Sequence, residues 1–326
     1  MAKVSILVAV YNAGDFLVKC LDSLLAQTMP DFQTVCIDDG STDGSLQVLE
    51  SYARRDARIE VVALPENHGQ AYATNVGLRH ATGRYIAFLD VDDWLSEDAL
   101  QLAVEQFEQH PATGCVLFEV ENVYPDHSER YPLPHFQQLT GEQAFRMSLD
   151  WQIHGIYMAR RELYERYPYD DTCRTYSNDN TTRMHFMASE EVRRCQGVYY
   201  YLQHPASMTH QVSVRHFDFL RANESMKRQL QQAGVAEDIM SQWETTRLLV
   251  LVDCYMFYHC HGRQLSAEER RYGLEEMHRV WSNLERHRLS PRTARKFGYR
   301  PMPRWWLFRL QEWLYFTMRA PLGKNK

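Results

Sequence analysis

The chain has 326 residues, 44% of them hydrophobic and 24% charged, with a formal net charge of −6. That composition buries a sizeable core and excludes a disordered or fibrous chain, and the length predicts two units or one enlarged α/β domain. Net acidity argues against a nucleic-acid partner, and seven irregularly spaced cysteines argue against a disulfide framework.

In chain order, Lys3–Val10 reads as an apolar strand. Ala13–Gln27 carries Phe16, Leu17, Cys20, Leu21, Leu24 and Leu25, the stripe of a helix packed on a sheet. Phe32–Ile37 is a second strand with Cys36 as a core thiol, Ser45–Arg55 a second helix, and Arg58–Ala63 a third strand. A helix over Gly69–His80, a strand over Tyr85–Leu89, a helix over Glu97–Gln109 and a strand over Thr113–Val120 follow. This alternation predicts a mostly parallel sheet with helices on both faces. Beyond Val120, prolines 125, 132 and 134 mark an irregular loop, and Thr140-Gly141-Glu142-Gln143 has the form of a capping box opening a short helix. Trp151–Ala159 reads as a strand, Thr181–Ala188 as a helix and Val198–Leu202 as a strand. From about Arg215 the pattern is helical, closing with Arg304–Thr317.

Three expected strand ends carry polar clusters. Val10-Tyr11-Asn12 leaves the first strand with an aromatic ring. Asp38-Asp39-Gly40-Ser41-Thr42-Asp43 leaves the second, where Asp39 can accept from a base imide N–H and the Gly and Ser residues shape a turn and cap the next helix. Asp90-Val91-Asp92-Asp93-Trp94 ends the fourth. Side chains alternate along extended backbone, so Asp90 and Asp92 point the same way. Such carboxylates repel unless a cation lies between them, and hard divalent ions prefer oxygen ligands. The alternative is a polar turn with Trp94 covering the core. In α/β sheets the ligand crevice lies at these carboxyl ends.

Ser5–Asn12, Asp38–Asp43, Asn75-Val76-Gly77-Leu78 and Phe88–Asp93, in that order and spacing, resemble family 2 glycosyltransferases. The resemblance implies a GT-A type, Rossmann-like, mostly parallel sheet with a helical C-terminal region, and inverting transfer from a nucleotide-diphosphate sugar, usually a UDP-sugar. It places the nucleobase on Val10, Tyr11 and Asp39, with Asn67 beside the base or ribose. Asp90 would face the ribose and Asp92, in the DXD position, would bind Mn²⁺ or Mg²⁺ bridging the diphosphate, while Asp93 reads as a helix-entry residue. The family's base aspartate maps onto Ser177-Asn178-Asp179, making Asp179 the candidate base, with helix capping as the alternative. Asp170 and Asp171 read as a solvated loop. Gln203-His204-Pro205-Ala206-Ser207 matches the segment that covers the diphosphate, so His204 is a candidate metal or phosphate ligand and Ser207 a candidate nucleotide contact. Thr74 stands where the family usually has Arg, which puts one donor contact in question. Trp151 and His154 are candidates for stacking on an acceptor sugar, with core packing as the alternative for Trp151.

These readings divide the chain into a nucleotide-sugar-binding half (1–120), an acceptor half (121–212) and a helical region (213–326). From Pro291 to Lys326 there are nine Lys or Arg and one acid, and Arg304–Phe316 interleaves tryptophans with arginines. That is the composition of an interfacial helix on an anionic membrane, or of a helix packed on protein. No uncharged run of about 18 residues occurs, so no transmembrane helix is expected. Val4–Val10 is too short for a leader and lacks a cleavage site, so the expected location is cytoplasmic, peripheral at most on the inner membrane face. Expected partners are a nucleotide-sugar donor and a saccharide acceptor, which would be lipid-linked if the tail binds membrane. The competing functions are a non-catalytic nucleotide-sugar-binding protein and a nucleotidyltransferase; the second would want a Gly-rich basic loop after the first strand, which Val10–Asp15 lacks.

Overall fold

The structure is a computed structural model that describes residues 2–173, 176–204 and 212–322. Contacts divide it into two units, Met1–Arg174 with Thr181–Ser207, and Thr175–Asn180 with Met208–Lys326.

The first unit alternates as expected: β1 (Val4–Val10), α1 (Phe16–Leu25), β2 (Phe32–Asp38), α2 (Ser45–Arg55), β3 (Ile59–Ala63), α3 (Gln70–His80) and β4 (Tyr85–Phe88). It continues with β5 (Trp94–Leu95), α4 (Ala99–Gln109), β6 (Thr113–Val123), β7 (Ser128–Arg130), β8 (Gln138–Thr140), α5 (Gly141–Ser148), β9 (Tyr157–Arg160) and α6 (Arg161–Arg166). Then come α7 (Asn178–Ala188) and β10 (Glu191–Leu202). The sheet runs β3-β2-β1-β4-β9-β6-β10-β5, with β7 on β6 and β8 on β10. β3, β2, β1 and β4 are mutually parallel, as are β6 and β10, while β9 runs antiparallel between the two sets. The apolar stripe of α1 (Leu17, Cys20, Leu21, Leu24) is buried in one core cluster, and Cys36 is fully buried, its thiol pushed up to about 12 by desolvation.

Two elements of the motif at Asn75–Leu78 have structural uses. A Cβ on Gly77 would lie 2.5 Å from Ile37 Cδ1, so glycine lets α3 approach the sheet. The Asn75 amide donates to the Tyr169 carbonyl (2.8 Å) and accepts from the Tyr169 N–H (2.9 Å), pinning the segment after α6. The capping box at Thr140 is formed, with both reciprocal bonds to Gln143.

The expected strand over Trp151–Ala159 is shortened to Tyr157–Arg160. Trp151 takes a left-handed φ of 60°, and the Gln152 N–H turns back to the Met147 carbonyl (3.0 Å), closing a turn after α5 instead of extending. Asp170 is not solvated: it is buried, and its carboxylate accepts from the Thr172 N–H (3.1 Å) and hydroxyl (2.7 Å).

The second unit holds α8 (Asp218–Ala233), α9 (Glu237–His261), α10 (Ala267–Ser282), α11 (Pro291–Arg295) and α12 (Trp305–Arg319). Its core gathers Phe217, Leu248, Leu251, Met277, Phe308 and Phe316. It also buries charge. Arg247, fully buried, donates to both Glu244 oxygens (2.6 and 2.7 Å) and pairs with Glu224, while Lys227 bridges Glu244 (3.3 Å) and Glu285.

Candidate active site

The carboxyl ends of β1 and β2 are stitched into one corner. The Asp39 N–H donates to the Val10 carbonyl (2.7 Å), so the buried Val10 contributes its backbone. Asn12, at a left-handed φ of 48°, accepts from the Thr42 N–H (2.8 Å), and Ser41 and Ser45 hydroxyls each accept an N–H from the first loop at 3.0 Å. Tyr11 projects from this corner, 49% exposed, with its ring open to a planar ligand.

The Asp39 carboxylate is buried and accepts from the Asn67 amide (2.9 Å), the His68 N–H (2.9 Å) and the Gly69 N–H (2.8 Å). A carboxylate has about four acceptor directions, so this holds the loop before α3 and leaves about one for a ligand. Gly40 makes the contact possible, because a Cβ there would lie 2.7 Å from the Glu66 carbonyl carbon. Beside it, Asp38 is buried with Oδ2 accepting from the Ser41 N–H (3.2 Å) and Oδ1 without a partner.

The second cluster is acidic. Gln70, the first residue of α3, donates to Asp90 Oδ1 (2.7 Å). Asp92 Oδ2 lies 2.9 Å from His204 Nε2, and the Phe16 ring packs at a tilt against the His204 ring at 4.7 Å. The pairing of β10 with β5 brings His204 there, 112 positions along the chain from Asp92. Asp93 is not a helix-entry residue. It is fully buried, accepting from the Tyr199 hydroxyl (2.7 Å) and the Leu202 N–H (2.8 Å), and Tyr199 also accepts from the Asp90 N–H (3.1 Å). Desolvation, then the charge of Asp92, raises the Asp90 pKa; desolvation, then the charges of Asp90 and Asp92, raises that of Asp93.

Among the described residues no group of three or more His, Cys, Asp or Glu is arranged to hold an ion by itself. Asp92 and His204 nevertheless form a two-donor pair beside uncompensated carboxylates, and His204 Nδ1 is buried without a partner. Mg²⁺ and ions like it are commonly held by one or two protein donors and completed by water and phosphate oxygens. The pair fits an ion arriving with a diphosphate and does not form a self-contained cage.

The two acceptor candidates separate. Trp151 is 53% exposed, with the Arg183 guanidinium 6.0 Å from its ring and its carbonyl accepting from the Tyr131 hydroxyl. His154 is buried, edge-on to Tyr131 at 5.1 Å, and desolvation pushes its pKa down to about 4. It buttresses Tyr131 and has no face toward solvent comparable to that of Trp151. Asp179, half-buried, lies in the first turn of α7. Ser207 lies outside the described residues. Thr74 is buried and turns its hydroxyl to the Gln70 carbonyl (2.7 Å), so this position adds nothing to the corner.

Gln70 and Tyr199 were not legible as site residues. Gln70 starts a helix otherwise read from its apolar face, and Tyr199 is one of three consecutive tyrosines in a strand; period-2 alternation separates its side chain from that of Tyr200 but not from that of Tyr201, which lies on the same face.

Comparison with known proteins bears on this arrangement. Residues 5–170 match the model of glycosyl transferase family 2. The chain is 33% identical over 217 residues to the "uncharacterized glycosyltransferase EpsJ" of Bacillus subtilis, covering 63% of this chain and 62% of that protein. It is 43% identical over 102 residues to the "putative teichuronic acid biosynthesis glycosyltransferase TuaG" of the same organism, 31% of this chain and 40% of that one. It is 36% identical over 138 residues to the hyaluronan synthase of Pasteurella multocida, 41% of this chain and 14% of that one. The chain thus spans less than two thirds of the length of these relatives. Among solved structures, S. aureus TarS 1-349 in complex with UDP-GlcNAc superposes with a TM-score of 0.75 at 16% identity, covering 98% of this chain and 92% of that one. At that identity the likeness establishes a shared fold.

Proposed function

This chain belongs to glycosyl transferase family 2, and we propose that it moves a single sugar from a UDP-linked donor to a saccharide acceptor with inversion at the anomeric carbon. The observation that carries the reading is the convergence, at one edge of the sheet, of the Tyr11–Asp39 corner with the Asp90, Asp92 and His204 cluster. The UDP-GlcNAc complex of TarS supports a uridine nucleotide. The hyaluronan synthase and the teichuronic acid relative support a cell-surface polysaccharide as product.

In this reading Tyr11 stacks on the nucleobase and the remaining acceptor direction of Asp39 takes its imide N–H, with Asn67 alongside. Asp90, oriented by Gln70, accepts from the ribose. Asp92 and His204 hold Mn²⁺ or Mg²⁺, which when bound offsets the charge of the departing diphosphate. Asp179 takes the proton from the acceptor hydroxyl as that oxygen attacks the anomeric carbon. Trp151 presents its ring to the acceptor sugar, its backbone carbonyl held by the Tyr131 hydroxyl and Tyr131 in turn packed on His154. The acceptor is lipid-linked and the enzyme works at the inner face of the cytoplasmic membrane.

The test is a panel of nucleotide sugars assayed for UDP release and thermal stabilisation with and without Mn²⁺ or Mg²⁺. Asp92→Ala is expected to lower kcat/KM by about 10³ and to remove the metal dependence of UDP binding. Asp179→Asn is expected to abolish transfer while UDP still binds. Transfer unchanged in Asp179→Asn overturns the base assignment, and metal-dependent UDP binding without turnover of any donor makes the chain a binding protein.

A further inference from the structure

The composition of residues 291–326 fits a membrane helix or a packed helix, and α12 is built to be both. Phe308, Glu312 and Phe316 form its inner face, buried against α9, where the Tyr255 hydroxyl donates to the Arg309 carbonyl (3.1 Å). Trp306, Leu310, Trp313, Leu314 and Met318 recur every three to four residues on the opposite face. All five are exposed, Trp306 by 57%, Trp313 by 51% and Met318 by 66%. An apolar stripe of that size on a charged molecule marks an interaction surface.

The charge around the stripe selects its partner. Arg292, Arg295, Lys296, Arg300 and Arg304 are all exposed. Phe297, Gly298 and Tyr299 pack on Tyr315, which sets Arg295, Lys296 and Arg300 alongside α12. The one acid between Pro291 and Lys326 is Glu312, and it is fully buried. Desolvation raises its pKa to about 8, so it offsets little of this positive charge at neutral pH. The outer surface of this segment therefore combines tryptophans with cations and, among the described residues, carries no carboxylate. Two copies of such a surface repel one another, whereas an anionic lipid interface accepts both the rings and the charges.

We propose that the outer face of α12, with the basic segment before it, docks the protein on an anionic lipid surface, the helix lying in the interface plane with Trp306, Leu310 and Trp313 inserted. This rests on the surface of the helical unit alone and stands or falls separately from the transfer reaction. No helix among the described residues is long and apolar enough to cross a membrane, so the attachment is peripheral.

The experiment is co-sedimentation of the full chain with vesicles of phosphatidylglycerol and phosphatidylcholine against vesicles of phosphatidylcholine alone, with tryptophan emission as a second readout. Binding at least tenfold tighter to the anionic vesicles, weakened by salt and accompanied by a blue shift, is expected. Trp306→Ser with Trp313→Ser should lower that binding at least tenfold. Arg295→Gln and Arg300→Gln should each lower it about fivefold, in proportion to one charge near the surface. All four positions are exposed, so melting temperatures should stay within a degree or two of the parent, which separates lost docking from lost fold. Equal partition to both vesicles, or none, overturns the proposal. So does a dimer in sedimentation velocity that the tryptophan substitutions dissolve, which would assign the face to a second copy.

Discussion

The two units bury polar groups in opposite ways. In the α/β unit the polar side chains of the proposed site collect at strand carboxyl ends and are tied to backbone N–H groups, as Asp39 is to residues 68 and 69 and Asp93 to residue 202. In the helical unit charge lies inside the bundle: Arg247 sits between Glu224 and Glu244, and Glu312, on the inner face of α12, keeps Oε2 without a partner. In the first arrangement hydrogen bonds from donors the sheet leaves unpaired offset part of the burial cost, which still raises the Asp90 and Asp93 pKa values, and acceptor directions remain for a ligand. The second contributes little net stability, yet it penalises any packing that separates the partners. Buried charge reports a proposed site in one unit and specifies a helix arrangement in the other.

Breaking the second arrangement is expected to have the largest effect on stability. Arg247→Met removes the fully buried cation between Glu224 and Glu244, leaving them Arg279 and Lys227, and should cost roughly 3 kcal/mol in denaturant unfolding of the helical unit. Replacing Glu224, Glu244 and Arg247 together by apolar residues of similar volume should recover most of that loss; if it does not, the network contributes more than specificity.

Changing pH should separate two buried groups, one in each unit. The Glu312 pKa is raised from 4.5 to about 8. The unfolded chain ionises this group first, so stability is full below about pH 4.5 and is lost as pH rises toward 8. Glu312→Gln should therefore raise the melting temperature of the helical unit at pH 8–9, by the equivalent of a few kcal/mol, with little change at pH 5. His185 behaves in reverse. It is buried between the Tyr157 hydroxyl (2.7 Å) and the Tyr167 carbonyl (2.8 Å), and desolvation lowers its pKa from 6.5 to about 4. The folded state binds fewer protons, so this contribution is complete above about pH 6.5 and is lost as pH falls toward 4. Asp90 and Asp93, also raised by burial, weaken the α/β unit as pH rises as well, so the check is made by variant: Glu312→Gln should gain on the parent at pH 8–9 and His185→Gln should gain on it near pH 4 relative to neutral pH; flat differences across pH would erase the contrast.

The smallest effect is expected at the surface. Trp151→Ala removes an exposed ring and should raise the acceptor KM about tenfold, in line with the loss of one aromatic contact of about 1.4 kcal/mol. Donor KM and melting temperature should hold. If the acceptor KM is unchanged, the strained backbone at Trp151 serves only the turn after α5.

Most of the α/β half was legible along the chain because its signals are local. The helices Ser45–Arg55 and Gln70–His80 carry an apolar face repeating every three to four residues, and the parallel strands are short apolar runs closed by turn residues. The strand expected at Trp151–Ala159 starts late because residues 151–153 turn back on α5, which buries Ile153 and leaves Trp151 exposed, and periodicity over so short a run does not distinguish turn from strand. Asp93 and His154 were misplaced for another reason. Each belongs to a type usually found at surfaces or sites, and each is buried here by a partner that lies elsewhere in the chain, Asp93 by Tyr199 106 positions away and His154 by Tyr131.

The sequence by itself determined the fold class, the order of elements and which strand ends carry carboxylates, since each depends on spacing within about ten residues. Only the tertiary structure decided which of those carboxylates keep an open acceptor direction and which are already occupied, because that depends on donors brought from distant strands. It also decided which face of the basic, tryptophan-rich helix is buried: an amphipathic stripe does not say which side meets protein until α9 has covered one of them.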